Sequence, residues 1–262
     1  VRVHVVSDVH GNVEDLKRAG DGADALVVLG DLIDFVDYQE HDKGILGAVF
    51  GPEKVGHFAS LRRNQRGSEL AAYARSLWES LDDPERVVQD AVRAQYEELF
   101  AAMRAPTYVI AGNVDNPYLW PEFARDGLYF VDGRSVEIGG LRFGFVGGTI
   151  LPPGATLRRG SPWVPYLREE AEFDAAVEAL DEIDVLCSHV PPALPELTYD
   201  VVARRAEHGS AALRRRIDTD RPRWSLFGHV HQPLCGRVRH RRTECLNVGH
   251  FKRTGTPRTL RW

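Results

Sequence analysis

The sequence predicts a mixed α/β fold, and three observations carry that expectation. The chain opens strand, helix, strand over residues 3–6, 13–19 and 25–29, an order that favours parallel pairing through a right-handed crossover. Helix-spaced apolar residues return later in stretches long enough for several turns. Around them lie short apolar runs, and most of these stop at a polar island rich in Asp, His and Asn.

Residues 1–7 alternate less than an exposed strand would, as expected of a strand covered on both faces. The turn at 8–12 enters a short helix whose apolar face is Val13, Leu16 and Ala19 and whose end is Gly20. Residues 25–29 form the next buried strand. A long insertion then runs over residues 35–106. Its first part, residues 37–66, reads as irregular, punctuated by Gly44, Gly47, Gly51 and Gly56, and suits a lid or pocket wall as well as plain packing. Its second part is helical: Leu70, Tyr73, Ala74, Leu77 and Leu81 recur at helix spacing.

Asp83-Pro84-Glu85 next supplies an N-cap, a proline at the first helical position and an acid matched to the helix dipole. Val88, Val92, Tyr96, Leu99 and Met103 keep one face of that helix apolar. These two helices are expected to form a hairpin packed against the sheet. Strands are expected at 128–131, 135–138 and 141–146, separated by Asp-Gly and Gly-Gly turns. A Pro- and Gly-rich loop covers 149–165, and a helix covers 169–180. Then come a strand at 183–187, a helix closing at 213–217 and a strand at 223–227. An antiparallel pair at 235–238 and 244–248 follows, with 259–262 as an added edge. Residues 1–262 are read as one domain carrying the insertion at 35–106.

Strand ends of an open sheet lie along one edge, so residues placed there converge on one crevice. Here they are Asp8 with His10, Asp31, Asn113, His189, and His229 with His231. Two aspartates, four histidines and an asparagine are too polar to bury unless something positive sits among them. Imidazole, carboxylate and amide oxygen are ligands that Mn, Fe and Zn accept. Residues two apart share one side of an extended chain, so Asp8 and His10 point together, as do His229 and His231. Singly, each has an ordinary explanation as a turn, a cap or a satisfied core histidine. Together they call for a common one, and the set reads as a two-metal hydrolytic centre.

At these residues the chain resembles the calcineurin-like metallophosphoesterase family. The family's motif series runs D-x-H, G-D-x-x-D, G-N-H-(D/E), a lone His and G-H-x-H, in that order. Here the series stands as Asp8-Val9-His10, Gly30-Asp31-Leu32-Ile33-Asp34, Gly112-Asn113-Val114-Asp115, His189 and Gly228-His229-Val230-His231. Gly11-Asn12, Pro191-Pro192 and Asn247-Val248-Gly249 are family-typical neighbours. The resemblance implies a four-layer α/β/β/α sandwich, two mixed sheets face to face with helices outside. It also implies two divalent or trivalent metal ions, Mn first and Fe or Zn as alternatives. By motif, Asp8, His10, Asp31 and His231 would hold the first ion, and Asp31, Asn113, His189 and His229 the second. The implied reaction is phosphoester hydrolysis by a metal-bridging hydroxide attacking phosphorus in line, with Asp31, Asp8 and His189 acting through the metals. Asp34 and Asp115 are expected to accept hydrogen bonds from histidine ligands.

Val114 departs from the family motif, which usually has a histidine here that contacts phosphate and protonates the leaving group. Valine does neither. Loss of a general acid, typically about a hundred- to ten-thousand-fold, hurts alkoxide leaving groups most and points toward phosphodiesters with stabilised ones. The alternatives are a small-molecule phosphomonoesterase with a substitute acid, or a non-catalytic scaffold of the same fold. Complete ligand positions argue against the scaffold. His250, directly after Asn247-Val248-Gly249, is the first candidate acid, with His41, His57 and His208 behind it. Arg62, Arg63, Arg66, Arg158 and Arg159 are candidate phosphate contacts. Trp120, Trp163 and Tyr166 are candidate stacking surfaces.

A net charge of -5 gives no support to general nucleic-acid binding, while leaving room for a local basic groove, and the resemblance implies a small phosphorylated substrate as the partner. Cys187, Cys235 and Cys245 are odd in number and lack metal-ribbon spacing, which fits reduced thiols. No long apolar span or signal-peptide pattern appears; no membrane partner is expected and a cytoplasmic enzyme fits. No pattern encodes the oligomeric state. The face of Val88, Val92 and Leu99 suits burial within the subunit or against another chain.

Overall fold

Val3 and Val5 leave the first strand on one side and Val6 on the other, and the same alternation sorts the molecule into layers. The computed structural model describes residues 1–152, 154–155 and 161–262. In chain order its strands begin with β1 (Arg2–Val6), β2 (Ala25–Val28), β3 (Thr107–Val109), β4 (Leu128–Phe130), β5 (Ser135–Ile138) and β6 (Leu141–Val146). They continue with β7 (Thr149–Ile150), β8 (Leu167–Arg168), β9 (Val185–Ser188), β10 (Tyr199–Asp200) and β11 (Arg205–Ala206). The last are β12 (Trp224–Phe227), β13 (Arg237–His240), β14 (Thr243–Asn247) and β15 (Arg258–Arg261). Two large mixed sheets result, ordered β15-β1-β2-β3-β4 and β13-β14-β12-β9-β6-β5. Each is a parallel block with antiparallel edges: β15 beside β1, β13 beside β14 and β5 beside β6.

The helices are α1 (Val13–Ala19), α2 (Gly44–Phe50), α3 (Pro52–Arg63), α4 (Gly67–Glu79), α5 (Pro84–Ala102), α6 (Glu170–Glu178), α7 (Pro195–Thr198), α8 (Ala211–Asp220) and α9 (Phe251–Thr254). Val3, Val5, Val27 and Leu29 face Phe143, Phe145, Val185 and Leu226 across the two sheets. The outer face of the first sheet, Val6, Leu26, Val28 and Val109, packs on α1, α2 and α5 through Leu16, Ile45, Val88 and Tyr96. The outer face of the second, Val146, Leu186 and Phe227, packs on α6 and α8 through Phe173, Val177, Leu213 and Ile217. This is the four-layer α/β/β/α sandwich that the resemblance implied.

Residues 37–66 correct the sequence reading, because most of them are helical. Gly51, at φ +81°, closes α2 by donating its N–H to Gly47 O, and Pro52 opens α3 at its first position. The glycines there mark helix boundaries and a close approach: a Cβ on Gly47 would lie 2.6 Å from Asp42 C. The expected hairpin is also rearranged. α4 packs on α3, whereas α5 packs on α1 and α2. Of the α4 stripe only Leu77 is buried, while Val88, Val92, Tyr96, Leu99 and Met103 are all buried against this subunit's own sheet and helices. In the terminal hairpin, β13 starts at Arg237, later than the expected 235, and pairs Val238 with Cys245. Cys187, Cys235 and Cys245 are all unbridged. No helix among the described residues is long and apolar enough to cross a membrane.

The close approach of β2 to β3 at their C-terminal ends makes one glycine decisive. Gly30 has φ +89°, and a Cβ there would sit 2.1 Å from Gly112 N. Gly133 has φ +69° with nothing within 4 Å. In equilibrium urea unfolding, Gly133→Ala should cost about 1 kcal/mol, the backbone term alone. Gly30→Ala should cost more than about 2 kcal/mol, because the clash adds to it. Equal losses would contradict the packing described.

Candidate metal centre

Every predicted ligand follows the C-terminal end of a parallel strand: Asp8 and His10 after β1, Asp31 after β2, Asn113 after β3, His189 after β9, His229 and His231 after β12. The two sheets bring all seven into one crevice. The backbone bends hard to do it. Asp8, His10, Asp31 and His229 take φ values of 57°, 41°, 51° and 66°, left-handed positions that cost non-glycine residues about 1–2 kcal/mol each.

Two donor groups share Asp31. Its Oδ2 lies 3.7 Å from His10 Nε2, which lies 3.2 Å from His231 Nε2. His231 Nε2 is in turn 3.3 Å from Asp8 Oδ1. Asp31 Oδ1 faces the other group, 3.5 Å from His189 Nε2. Asn113 Oδ1 lies 3.1 Å from His189 Nε2 and 2.8 Å from His229 Nδ1. Ligand atoms of Asp8, His10, Asp31 and His231 all fall within 4.8 Å of one another.

The electrostatics of this donor set suit cations. Burial pushes His10 down to about 3, and burial with the His189 ring pushes His229 down to about 4, so both keep free nitrogen lone pairs at neutral pH. Burial lowers His189 as well. Burial and the nearby Asp8 charge raise Asp31 to about 6. Burial alone would raise Asp8, but its hydrogen bond to His231 and the surrounding histidines hold it below the usual carboxylate range. Neutral imidazoles, carboxylates and an amide oxygen at these spacings fit two divalent ions, and each ion would relieve the crowding of buried carboxylates.

Backbone carbonyls aim the histidines. His189 Nδ1 is 2.8 Å from Leu29 O, and His10 Nδ1 is 3.4 Å from Ile33 O. The expectation that Asp34 and Asp115 orient histidines is therefore corrected. Asp115 instead ties two ligand loops together, accepting from Leu32 N, Ile33 N and Gly112 N. Asp34, with Asp37, receives Lys252 Nζ at 2.8 and 2.7 Å. Helix periodicity read Tyr96 as core, yet its hydroxyl donates to Asp115 and accepts from Asn116 N at 2.6 Å. Lys252 carried no sequence signal. Asn247 did, in the Asn247-Val248-Gly249 run, and its amide braces the last motif through Gly228 O and Val230 O.

Of the candidate acids, only His250 joins the centre. Its ring stacks on His231 at 4.0 Å and stands edge-on to His10 at 5.9 Å, and its buried Nδ1 has no protein partner. His57 lies edge-on to Tyr73 on the α3–α4 pair, His41 packs by Gly56, and His208 lines a separate hollow with Thr198 and Tyr199. The insertion arginines stay outside too: Arg62 covers Tyr38 and Arg66 pairs with Glu69. Arg63 is exposed on α3. Arg158 and Arg159 lie outside the described residues. Trp120 is core, while Trp163 and Tyr166 line a cavity.

Two outcomes follow for the metal-free protein. Asp31→Asn should raise its Tm at pH 8, since the substitution removes a buried charge disfavoured by roughly 2–3 kcal/mol. Adding Mn²⁺ should raise the Tm of wild type far more than that of the variant. Because Asp31 titrates near 6 and binds metal as the anion, Mn²⁺ affinity should fall about fivefold from pH 6 to pH 5 in calorimetric titrations. A flat affinity across that interval would remove Asp31 from the ligand set.

Known proteins place this geometry. One solved structure superposes with a TM-score of 0.60 at 17% identity, covering 96% of this chain and 91% of that one. TT1561 of Thermus thermophilus superposes with a TM-score of 0.53 at 15% identity, over 98% of this chain and 97% of its own. At these identities the likeness speaks for the fold alone. No curated protein matches the chain. A family profile described as calcineurin-like phosphoesterase matches residues 1–233, nearly the whole chain and a span that contains the seven candidate ligands. Membership implies metal-dependent phosphoester hydrolysis, and on that match the chain belongs to the calcineurin-like phosphoesterase family.

Proposed function

We propose that this protein is a dinuclear-metal phosphodiesterase acting on a small phosphorylated substrate. One observation carries the reading: the two oxygens of Asp31 face separate donor groups, His10 with His231 and Asp8 on one side, His189 with Asn113 and His229 on the other. Manganese is the ion we place first, with iron or zinc as alternatives that the same ligands accept. When bound, two such ions lower the pKa of water to near neutrality and draw charge from phosphoryl oxygens.

The side chains set what can leave. Val114, half-buried after Asn113, offers no proton, and its N–H is committed to Asp31 Oδ1 at 3.0 Å. Stabilised leaving groups therefore suit the site better than alkoxides, which supports diesters over monoesters. His250 is the extra histidine beside the ligands; burial and the adjacent His231 push it down to about 4, so at neutral pH only a small fraction carries the proton that we assign to less stabilised leaving groups. That same contact is what favours the second reading, a phosphomonoesterase with a substitute acid. The helices between β2 and β3 then serve as one wall of a single catalytic unit spanning 1–262. Three unbridged cysteines support a reducing, cytoplasmic setting.

Mn²⁺-loaded wild type should hydrolyse an aryl phosphodiester with a kcat/KM at least tenfold above the matched monoester, and Asp31→Asn should abolish both. His250→Ala should lower kcat about a hundredfold or more for an alkyl leaving group while changing a 4-nitrophenyl ester far less. A monoester preference that disappears with His250 would favour the second reading. Metal binding without hydrolysis of any ester would favour a scaffold.

A further inference from the structure

A cavity of about 250 Å³ opens between α5, the segment after Asn113 and the segment leading into β8. It adjoins the metal centre through the backbone. Tyr166, which lines it, donates its N–H to Asn113 O at 2.8 Å, and Asn116 in its wall is three residues from Asn113, at most about 11 Å of chain. The apolar part of the lining is Val88 and Val92 from the helix, with Pro117, Trp163 and Pro165 opposite.

Two aromatic side chains at the cavity are held in place by neighbouring rings. The Trp163 ring is held flat by stacking on Phe35 at 4.3 Å and 19°, and Phe35 lies only four residues after Asp31. Tyr118, at the cavity, is 83% exposed, an unusual place for a large ring, yet it is fixed edge-on to Tyr166 at 6.2 Å. No lysine or arginine lines the cavity among the described residues. Its one acid, Asp115, is already engaged by three backbone N–H groups. The carboxamides of Gln89 and Asn116 remain to meet the edge of a polar ring.

We propose that this cavity is a subsite for a neutral heteroaromatic ring, such as a nucleobase, carried on one ester arm of the substrate. The proposal rests on the phosphodiesterase reading and narrows its substrate class. Aromatic side chains that stack a base typically strengthen binding about tenfold or more.

The test compares thymidine 5′-(4-nitrophenyl phosphate) with methyl 4-nitrophenyl phosphate, which share a leaving group and differ in the nucleoside, sugar and base together; the aromatic variants separate the base from the sugar. With Mn²⁺-loaded wild type, the thymidine ester should show a KM at least about tenfold lower. Tyr118→Ala, a change at an exposed ring that spares the core, and Trp163→Ala should each bring the ratio of the two kcat/KM values toward one. Calorimetry with thymidine alone should detect binding to wild type and about tenfold weaker binding to Tyr118→Ala. Equal KM values for the two esters, or an advantage that survives both variants, would overturn the subsite. If neither ester is cleaved, the phosphodiesterase reading fails, and thymidine binding decides the cavity: lost in the variants it upholds the subsite, absent from wild type it overturns it.

Discussion

Asp31 is the constraint on which the rest of the centre depends. One carboxylate has to present an oxygen to each of two donor groups while buried next to Asp8. Two glycines make room for it. A Cβ on Gly112 would fall 2.2 Å from Asp31 Oδ1 and 2.7 Å from the His189 ring, and Gly30 lets the strand ends of β2 and β3 meet. The left-handed backbone at Asp8, His10, Asp31 and His229 adds strain that ordinary packing would not select. Cations between the carboxylates and imidazoles convert that costly arrangement into a favourable one.

Around Asp31 the fold supplies rigidity from both sheets. The parallel ends of β1, β2 and β3 face those of β9 and β12, so ligands far apart in sequence arrive from two directions. Asp115 and Tyr96 lock the Asp31 and Asn113 loops to helix α5. Lys252 joins Asp34 and Asp37 to the C-terminal segment that carries His250. The insertion therefore touches the centre at two points, through Tyr96 and through Asp37–Lys252, and forms one wall of the cavity beside it.

The convergence of the seven candidate ligands was legible because they stand at strand ends, where type and spacing are both visible. Short apolar runs that alternate little likewise announced the buried strands. The aiming of the histidines was not legible, because Leu29 and Ile33 contribute carbonyls that any residue would supply. Tyr96 was hidden by its own helix: the ring satisfies the apolar stripe while the hydroxyl does polar work at the stripe's edge. Residues 37–66 misled for a related reason, since glycine punctuates helices as readily as it breaks them. Asp34 and Asp115 sat in the expected motifs but found other partners once Lys252 and the Gly112 N–H came within reach.

The central claim is that one carboxylate bridges two ions. Electron paramagnetic resonance of the protein titrated with Mn²⁺ tests it directly. The account predicts two Mn²⁺ per chain and, at the second equivalent, the multiline spectrum of an exchange-coupled pair. Saturation at one ion, or two ions giving only the six-line signal of isolated Mn²⁺, would contradict it.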